Sequence, residues 1–381
     1  MNILLLTDKY PPDIGGLAVS TWRLARGLAK AGHAVCVSAP TDTAAPGNLV
    51  EIVDDRVRVF RLGLHPRYDD TLSDWFDRIV ALYASYRFDL VHALYVTQPA
   101  FVAVAVARYL GLPSVVSARG NDLDRTIFDP ARFSQISWAL HHANAITAVT
   151  TDLARKARAF APGRDVRFIP NAVDTFLFRP GSRSKSLIKS LELGDAPVVA
   201  FLGEARQKKG LTVLLPAFAR LCASSEQKPI LLLVGGVRKE DEPILQVFRR
   251  QDPTLNVRVV PNVPLTDVPA YYHLADVVVI PSLRDGMPNA LLEAMACEKA
   301  VIASMVGGIP DVLGKGSVED GVLVPPGNVT ALADAMAGLL SDPRRRTRLG
   351  RAARDTVEAE FTPAKEIERN MGIYKDVVRG A

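Results

Sequence analysis

The sequence predicts an α/β chain made of two successive doubly wound domains. Three observations predict it. Short β-branched runs alternate with longer helical patterns, as βαβ units on parallel sheets require. The alternation breaks once, at the irregular stretch NAVDTFLFRPGSRSKSLIKSLELGDA, and then starts again. The chain has 381 residues, enough for two or three domains with sizeable cores.

In chain order, NILLLTD reads as a strand, followed by a Gly-Gly loop and the helical pattern VSTWRLARGLAKAG. HAVCVSA and VRVFRL are strands, a helix covers about 71–86, and DLVHAL is a strand. PAFVAVAVARYLG is a helix, PSVVSARG a strand, FSQISWALHHAN a helix, and AITAVT and DVRFIP are further strands. A join near 172–190 separates this half from the next. There the strands are PVVAFLG, PILLLVGG, VRVVPNV, DVVVIPS and AVIASM. The helices are LTVLLPAFARLCA, a segment near 242–250, VPAYYHLA, the stretch from Pro288, and a C-terminal helical tract.

Composition narrows the function. Charged residues make up 23% and hydrophobic ones 48%, which is globular rather than disordered. The net charge of +5 is mild and spread over both halves, so nucleic acid is not an expected partner. Cys36, Cys222 and Cys297 are odd in number and far apart, which fits a reducing compartment and gives no CxxC metal spacing. The N-terminus lacks a basic leader and a long apolar run. FVAVAVA falls far short of the roughly 20 residues of a spanning helix. A cytoplasmic location is expected.

Four loops carry chemistry. In DKYPPDIGGLAV, Gly15 and Gly16 lie between strand and helix, where parallel sheets open a ligand crevice and helix amides favour anions. A plain tight turn is an equal reading, and the spacing is neither GxGxxG nor GxxxxGK[ST]. FLGEARQKKG offers Arg206, Lys208 and Lys209 for a diphosphate, Arg by bidentate contact and Lys as a point charge; a solvated basic turn is the alternative. PSLRDGMPNALLEAMAC holds Asp285 before the helix and Glu293 within it. Pro288 suits the first helical position and Gly286 an unusual turn. Five residues separate Pro288 from Glu293, roughly 8 Å along the axis, a span matching two parts of one extended ligand. The alternative makes Asp285 a capping group and pairs Glu293 with an internal Arg or Lys. SARGNDLDR brings Arg119, Asn121 and Asp122 to a strand end; Asp122 and Asp124 alternate like a metal pair, but turn residues do so too, and no metal is expected. The basic run DPRRRTRLGRAARD reads first as a solvated helix face and second as a contact with anionic membrane.

Taken together, these segments resemble the retaining glycosyltransferases of family 4 over nearly the whole chain. YPPDIGGLAVSTWRLARGLAKAGHAVCV is similar to the family's N-terminal phosphate and acceptor loop, and FIPNAVDTFLFRP to its interdomain segment, with Ala172 for the usual glycine. DGMPNALLEAMA matches its E-x7-E element and VGGIPDVL its Gly-Gly-x-Pro segment. The resemblance implies a GT-B fold, two Rossmann-like doubly wound domains facing each other across a cleft. Residues 1–175 would bind acceptor, with a C-terminal helix at about 363–381 packed back on them, and 176–362 would bind the nucleotide sugar. Arg206 and Lys209 would hold the leaving diphosphate. Asp285 with Gly286, Met287, Pro288 and Asn289 would bind the sugar and Glu293 the ribose. Asn262 and Val263 would lie near the base and Gly16 at the β-phosphate, with Gly15 also donor-binding. Arg119 and Asp122 complete the set of catalytic candidates.

Three positions depart from the family pattern. Asp285 replaces a glutamate, Glu204 stands where the phosphate arginine often follows the loop glycine, and Arg119 stands for a histidine. The implied activity is transfer of a hexosyl or related sugar from a nucleotide-diphosphate sugar, without metal or other cofactor. The implied acceptor is a glycan or lipid-linked glycan in polysaccharide or cell-envelope biosynthesis, at the inner membrane face. A nucleotide-sugar epimerase and a non-catalytic nucleotide-sugar-binding protein are the alternatives.

Overall fold

The computed structural model describes residues 1–314 and 319–380; residues 315–318 and 381, inside the spans read above as 176–362 and 363–381, lie outside it. The chain divides into two compact units, Met1–Ala172 with Pro363–Ala381, and Val173–Thr362.

Unit 1 holds an eight-stranded sheet. Its strands are β1 Asn2–Leu6, β2 Ala34–Thr41, β3 Leu49–Asp54, β4 Val57–Gly63, β5 Leu90–Ala93, β6 Ser114–Ala118, β7 Ala145–Ala148 and β8 Val166–Phe168. They lie in the order β3-β4-β2-β1-β5-β6-β7-β8, parallel except where β3 pairs antiparallel with β4. The parallel strands are apolar on both faces because helices cover both, so they read as continuous runs rather than alternating ones. Strand β3 was not predicted: it is an edge strand, exposed along most of its length, and has no buried stripe to reveal it. The helix Thr151–Phe160 was also not predicted. Its buried positions are Leu153, Ala154 and Ala157, too small a stripe to stand out, and its start is fixed by the Thr150 hydroxyl accepting from Leu153 N–H.

The helix Pro363–Arg379 belongs to this unit. Ile373, Tyr374 and Val377 join Leu24 and Leu28 in its core, and Arg23 meets Glu366 through two parallel hydrogen bonds of 2.8 and 2.9 Å. Tyr374 also reaches His92 on β5, whose Nδ1 lies 2.6 Å from the tyrosine hydroxyl and whose Nε2 lies 2.7 Å from Ser117 Oγ. Burial pushes the His92 imidazole down to about 3, with Arg119 acting in the same direction. A histidine depressed in the fold takes up its proton first in the unfolded chain. Stability from this group is therefore complete above about pH 6.5 and falls by up to about 1.4 kcal/mol per pH unit below it. Urea unfolding at pH 7 and pH 5 checks this: His92→Gln should lose less stability between the two than the native protein does, and an equal loss contradicts it.

Unit 2 holds six parallel strands, β9 Val198–Leu202, β10 Ile230–Val234, β11 Val257–Val260, β12 Val277–Ile280, β13 Ala300–Ser304 and β14 Val322–Val324, in the order β11-β10-β9-β12-β13-β14. Strand β14 was not predicted; three residues at a sheet edge leave almost no periodic signal. The helices Leu211–Ser224 and Val329–Ser341 share a core with the sheet, through Phe218, Leu221, Leu332 and Met336. The C-terminal helical tract resolves into Val329–Ser341, Pro343–Glu360 and Pro363–Arg379. The basic run lies on the second of these. Arg345 pairs with Glu319 at 2.6 Å, and Arg354 pairs with Glu358 one helical turn on.

Candidate active site

In unit 2 the strand order reverses between β9 and β12: β10 and β11 lie on one side of this pair, β13 and β14 on the other. The loops leaving the carboxyl ends of β9 and β12 therefore turn apart and open a crevice. They are residues 203–210 and 281–288, which carry the basic cluster and Asp285. The two loops are tied together. Lys209 Nζ donates to Asp285 Oδ2, which also accepts from Ser282 Oγ at 3.1 Å, and Leu283 N–H donates to Lys208 C=O at 3.0 Å. Asp285 is thus no simple cap, and the Lys209 ammonium is already held by a carboxylate.

Arg206 stands beside Glu204, with Nη1 3.2 Å from Oε2, and Glu204 also lies 3.4 Å from Nε of Arg238. Arg206 Nε is buried with no acceptor among the described residues. The rest of the loop is pinned from below: buried Asp241 accepts from Gln207 N–H at 3.3 Å and from its side-chain amide at 3.0 Å. Arg238 was missed in the sequence, although VGGVRKE repeats the strand, glycine and basic order of FLGEARQKK one strand away. Asn262 and Val263 follow β11, exposed and half-buried. From β12 to β11 is three strand spacings, roughly 14 Å, so this edge spans an extended ligand.

The segment after Asp285 departs from expectation in detail. Pro288 is the extended N-cap, not the first helical residue, and the helix runs Asn289–Ala296. The unusual backbone is not at Gly286 but at Gly307, whose φ is +55°. A Cβ there would stand 1.8 Å from Asp285 C=O, and Gly308 N–H donates to Gly286 C=O at 2.8 Å. The VGGIPDVL segment is therefore the wall behind the Asp285 loop. Glu293 accepts at 2.9 Å from the hydroxyl of Tyr272, a fully buried residue of the predicted helix VPAYYHLA that was given no site role there. Burial, and then the Glu293 charge, push the Tyr272 phenol well above its ordinary range, so it stays a donor. Met287 is buried and Asn289 half-buried at the helix entry.

In unit 1, Gly15 and Gly16 are exposed at the start of the helix Gly16–Lys30, and no side chain caps it. The loop before them is braced by Arg61, which donates to Tyr10 C=O at 3.1 Å and to Asp13 at 3.0 Å. Asp122 is fully buried and accepts from four backbone amides, those of Val96, Arg119, Gly120 and Leu123, at 2.7–3.2 Å. Burial raises its carboxyl and those amides oppose the rise. Both of its oxygens are taken up by these amides, which shape the loop around it. Arg119 Nη2 donates to Asn171 at 3.0 Å, and burial brings its guanidinium down to about 10. Asp124 points away to Lys156 at 2.5 Å, which separates it from Asp122. Among the described residues, no three His, Cys, Asp or Glu side chains form a group suited to a metal.

Two family models match the chain in series, Glycosyltransferase Family 4 over residues 14–176 and Glycosyl transferases group 1 over residues 183–356. The chain is 25% identical to the N-acetyl-alpha-D-glucosaminyl L-malate synthase of Bacillus anthracis, over 97% of this chain and 96% of that one. It is 27% identical to the GDP-mannose-dependent alpha-(1-6)-phosphatidylinositol monomannoside mannosyltransferase of Mycobacterium tuberculosis, over 94% of each. The sucrose-phosphate synthase of Thermosynechococcus elongatus shares the fold across 100% of both chains, with a TM-score of 0.82 at 23% identity.

Proposed function

From the premise that this chain belongs to the group 1 glycosyl transferases of family 4, and is a glycosyltransferase acting on a nucleotide-sugar donor, we propose how its residues share the work. Unit 2 holds the donor along its carboxyl edge. The observation that carries this is the bridge across the β9/β12 switch point, with cations on one loop and the Asp285 carboxylate on the other. Arg206 and Lys209 take the diphosphate, with Arg238 beside them. Asp285 and the helix entry at 286–289 meet the sugar, Glu293 the ribose, and Asn262 and Val263 the base.

As the bond from the anomeric carbon to the phosphate oxygen breaks, negative charge collects on the leaving diphosphate. Guanidinium and ammonium groups placed in advance stabilise it without reorganising, and each such donor is worth about 10²–10³ in rate. Asp285 positions the Lys209 ammonium, and a diphosphate can share that cation because it carries three donors. Configuration at the anomeric carbon is retained, and protein cations stand in for a divalent metal. The acceptor is a glycan or lipid-linked glycan in envelope or polysaccharide synthesis, approached from the cytoplasm or the inner membrane face. The relative named for a phosphatidylinositol monomannoside supports that class.

The test is thermal unfolding with UDP-, GDP- and ADP-sugars, with and without EDTA. A fitting donor at about 100 times its Kd should stabilise the protein by about 2.7 kcal/mol. Release of diphosphate with a glycosylated product should follow, unchanged by EDTA. Loss of activity in EDTA overturns the metal-free reading, and an epimerised donor without transfer overturns the assignment of roles.

A further inference from the structure

Tyr272 lies on the helix Val268–Leu274, which leads into β12, and Glu293 on the helix that follows β12. The Tyr272 hydroxyl stands 2.9 Å from Glu293 Oε2 and 3.2 Å from Ala290 C=O, three residues earlier on the same helix as Glu293. A phenol has one proton to give, and a carboxylate is the stronger acceptor, so the proton goes to Glu293. The Ala290 carbonyl alone would satisfy a buried phenol. The contact with Glu293 therefore serves the carboxylate rather than the tyrosine. Tyr272 is a rigid partner: it is fully buried, and Phe178 packs edge-on to its ring, with centroids 6.1 Å apart and planes at 76°. Glu293 is only half-buried, and a glutamate is among the side chains that lose most rotamer freedom when held. A fixed donor thus meets a flexible acceptor.

We propose that Tyr272 is a positioning residue for the donor's ribose: its hydroxyl holds the Glu293 carboxylate in the orientation that accepts from the vicinal hydroxyls of a ribonucleotide. This rests on the reading of Glu293 as the ribose contact and adds what makes that contact selective. A carboxylate has about four lone-pair sites over its two oxygens. The phenol takes one of them and so fixes the plane of the rest. A carboxylate set in advance gives the full value of a charge-assisted hydrogen bond, whereas one that must first be ordered gives up part of it. A 2′-deoxynucleotide leaves Glu293 short of a donor, so discrimination against it is the property that Tyr272 sets.

The ribose is remote from the anomeric carbon where the bond breaks, and it is bound in the donor and in the released nucleoside diphosphate alike. Tyr272→Phe should therefore raise the donor KM by about tenfold and leave kcat within about threefold of native. That split marks an interaction made equally in the ground and transition states.

The full chain is titrated with UDP, GDP and ADP, and then with the 2′-deoxy form of the one that stabilises it most, with affinities read by calorimetry. The native protein should bind the deoxy form about 10–100-fold more weakly, as losing a hydrogen bond to a charged group does. Tyr272→Phe removes one oxygen and keeps the buried ring; far-UV circular dichroism reports that it is folded. It should weaken the ribonucleotide by about tenfold, leave the deoxynucleotide nearly unchanged, and so narrow the ratio. Glu293→Gln should narrow it too, and the double variant should be no weaker than Glu293→Gln alone, because the two residues act as a unit. A tyrosine that only fills space would weaken both nucleotides alike. An equal loss for both, a native ratio in Tyr272→Phe, or additive losses in the double variant therefore sinks this inference. If none of the three diphosphates stabilises the native protein, or if it binds ribo and deoxy forms alike, the ribose role of Glu293 has itself failed and the inference falls with it.

Discussion

Replacing Arg206 with alanine should lower sugar transfer by about 10²–10³-fold, the loss that removal of one charge-stabilising donor produces. The native fold should survive, because the side chain rests against Glu204, itself half-exposed, and contributes little packing. An ion pair of that kind is worth roughly 0–1 kcal/mol. What is lost is a planar fork of donors above the crevice, one of which, Nε, is buried with no acceptor among the described residues. Arg206→Lys should recover only part of the rate, since an ammonium restores charge but not two parallel contacts. Single-turnover transfer and donor-induced stabilisation check this together. If Arg206→Ala keeps its rate within about tenfold of native, the diphosphate does not lie where the loop suggests.

Gly210→Ala should be severely damaging for a single added methyl group. Gly210 has a φ of +83°, and a Cβ there would stand 1.9 Å from Pro281 C=O, at the start of the Asp285 loop. Backbone on both sides blocks relief, so the β9 and β12 loops must separate. The Lys209–Asp285 and Leu283–Lys208 contacts would go with them. A loss of about 4 kcal/mol or more is expected, together with the response to donor. Gly236→Ala is the control. Its φ is +73°, yet nothing lies within 4 Å of the added carbon, so it should cost only the conformational penalty of about 1–2 kcal/mol. Equal losses in the two variants would mean that backbone conformation, rather than the closeness of the two loops, sets the cost.

Legibility differed with the range of the interactions. GEARQKK and RDGMPNALLE could be read as ligand loops because their residue types, and their place after apolar strands, are local facts. The parallel strands were legible because burial on both faces writes them as unbroken apolar runs. Strand β3, strand β14 and the helix Thr151–Phe160 were not, since edge position or small side chains leave them without a strong stripe. Asp122 looked like an acid at a strand end, but its four amide partners come from residues 96, 119, 120 and 123. Three of them are near neighbours, yet no residue pattern announces that the loop curls around its own carboxylate.

By itself, then, the sequence determined the two α/β units, the family, and which loops hold charge, because periodicity and side-chain type are carried residue by residue. Only the tertiary structure decided which of those charges are available. Strand order put the loops of β9 and β12 side by side, and those of β1 and β5 likewise, from positions about 76 and 89 residues apart in the chain. A carboxylate's role follows from its donors, and those donors arrive through pairing and register. Hence Asp285 holds Lys209, Glu293 accepts from Tyr272, Asp122 shapes its own loop, and Asp8, unremarkable in the sequence, accepts from Thr97.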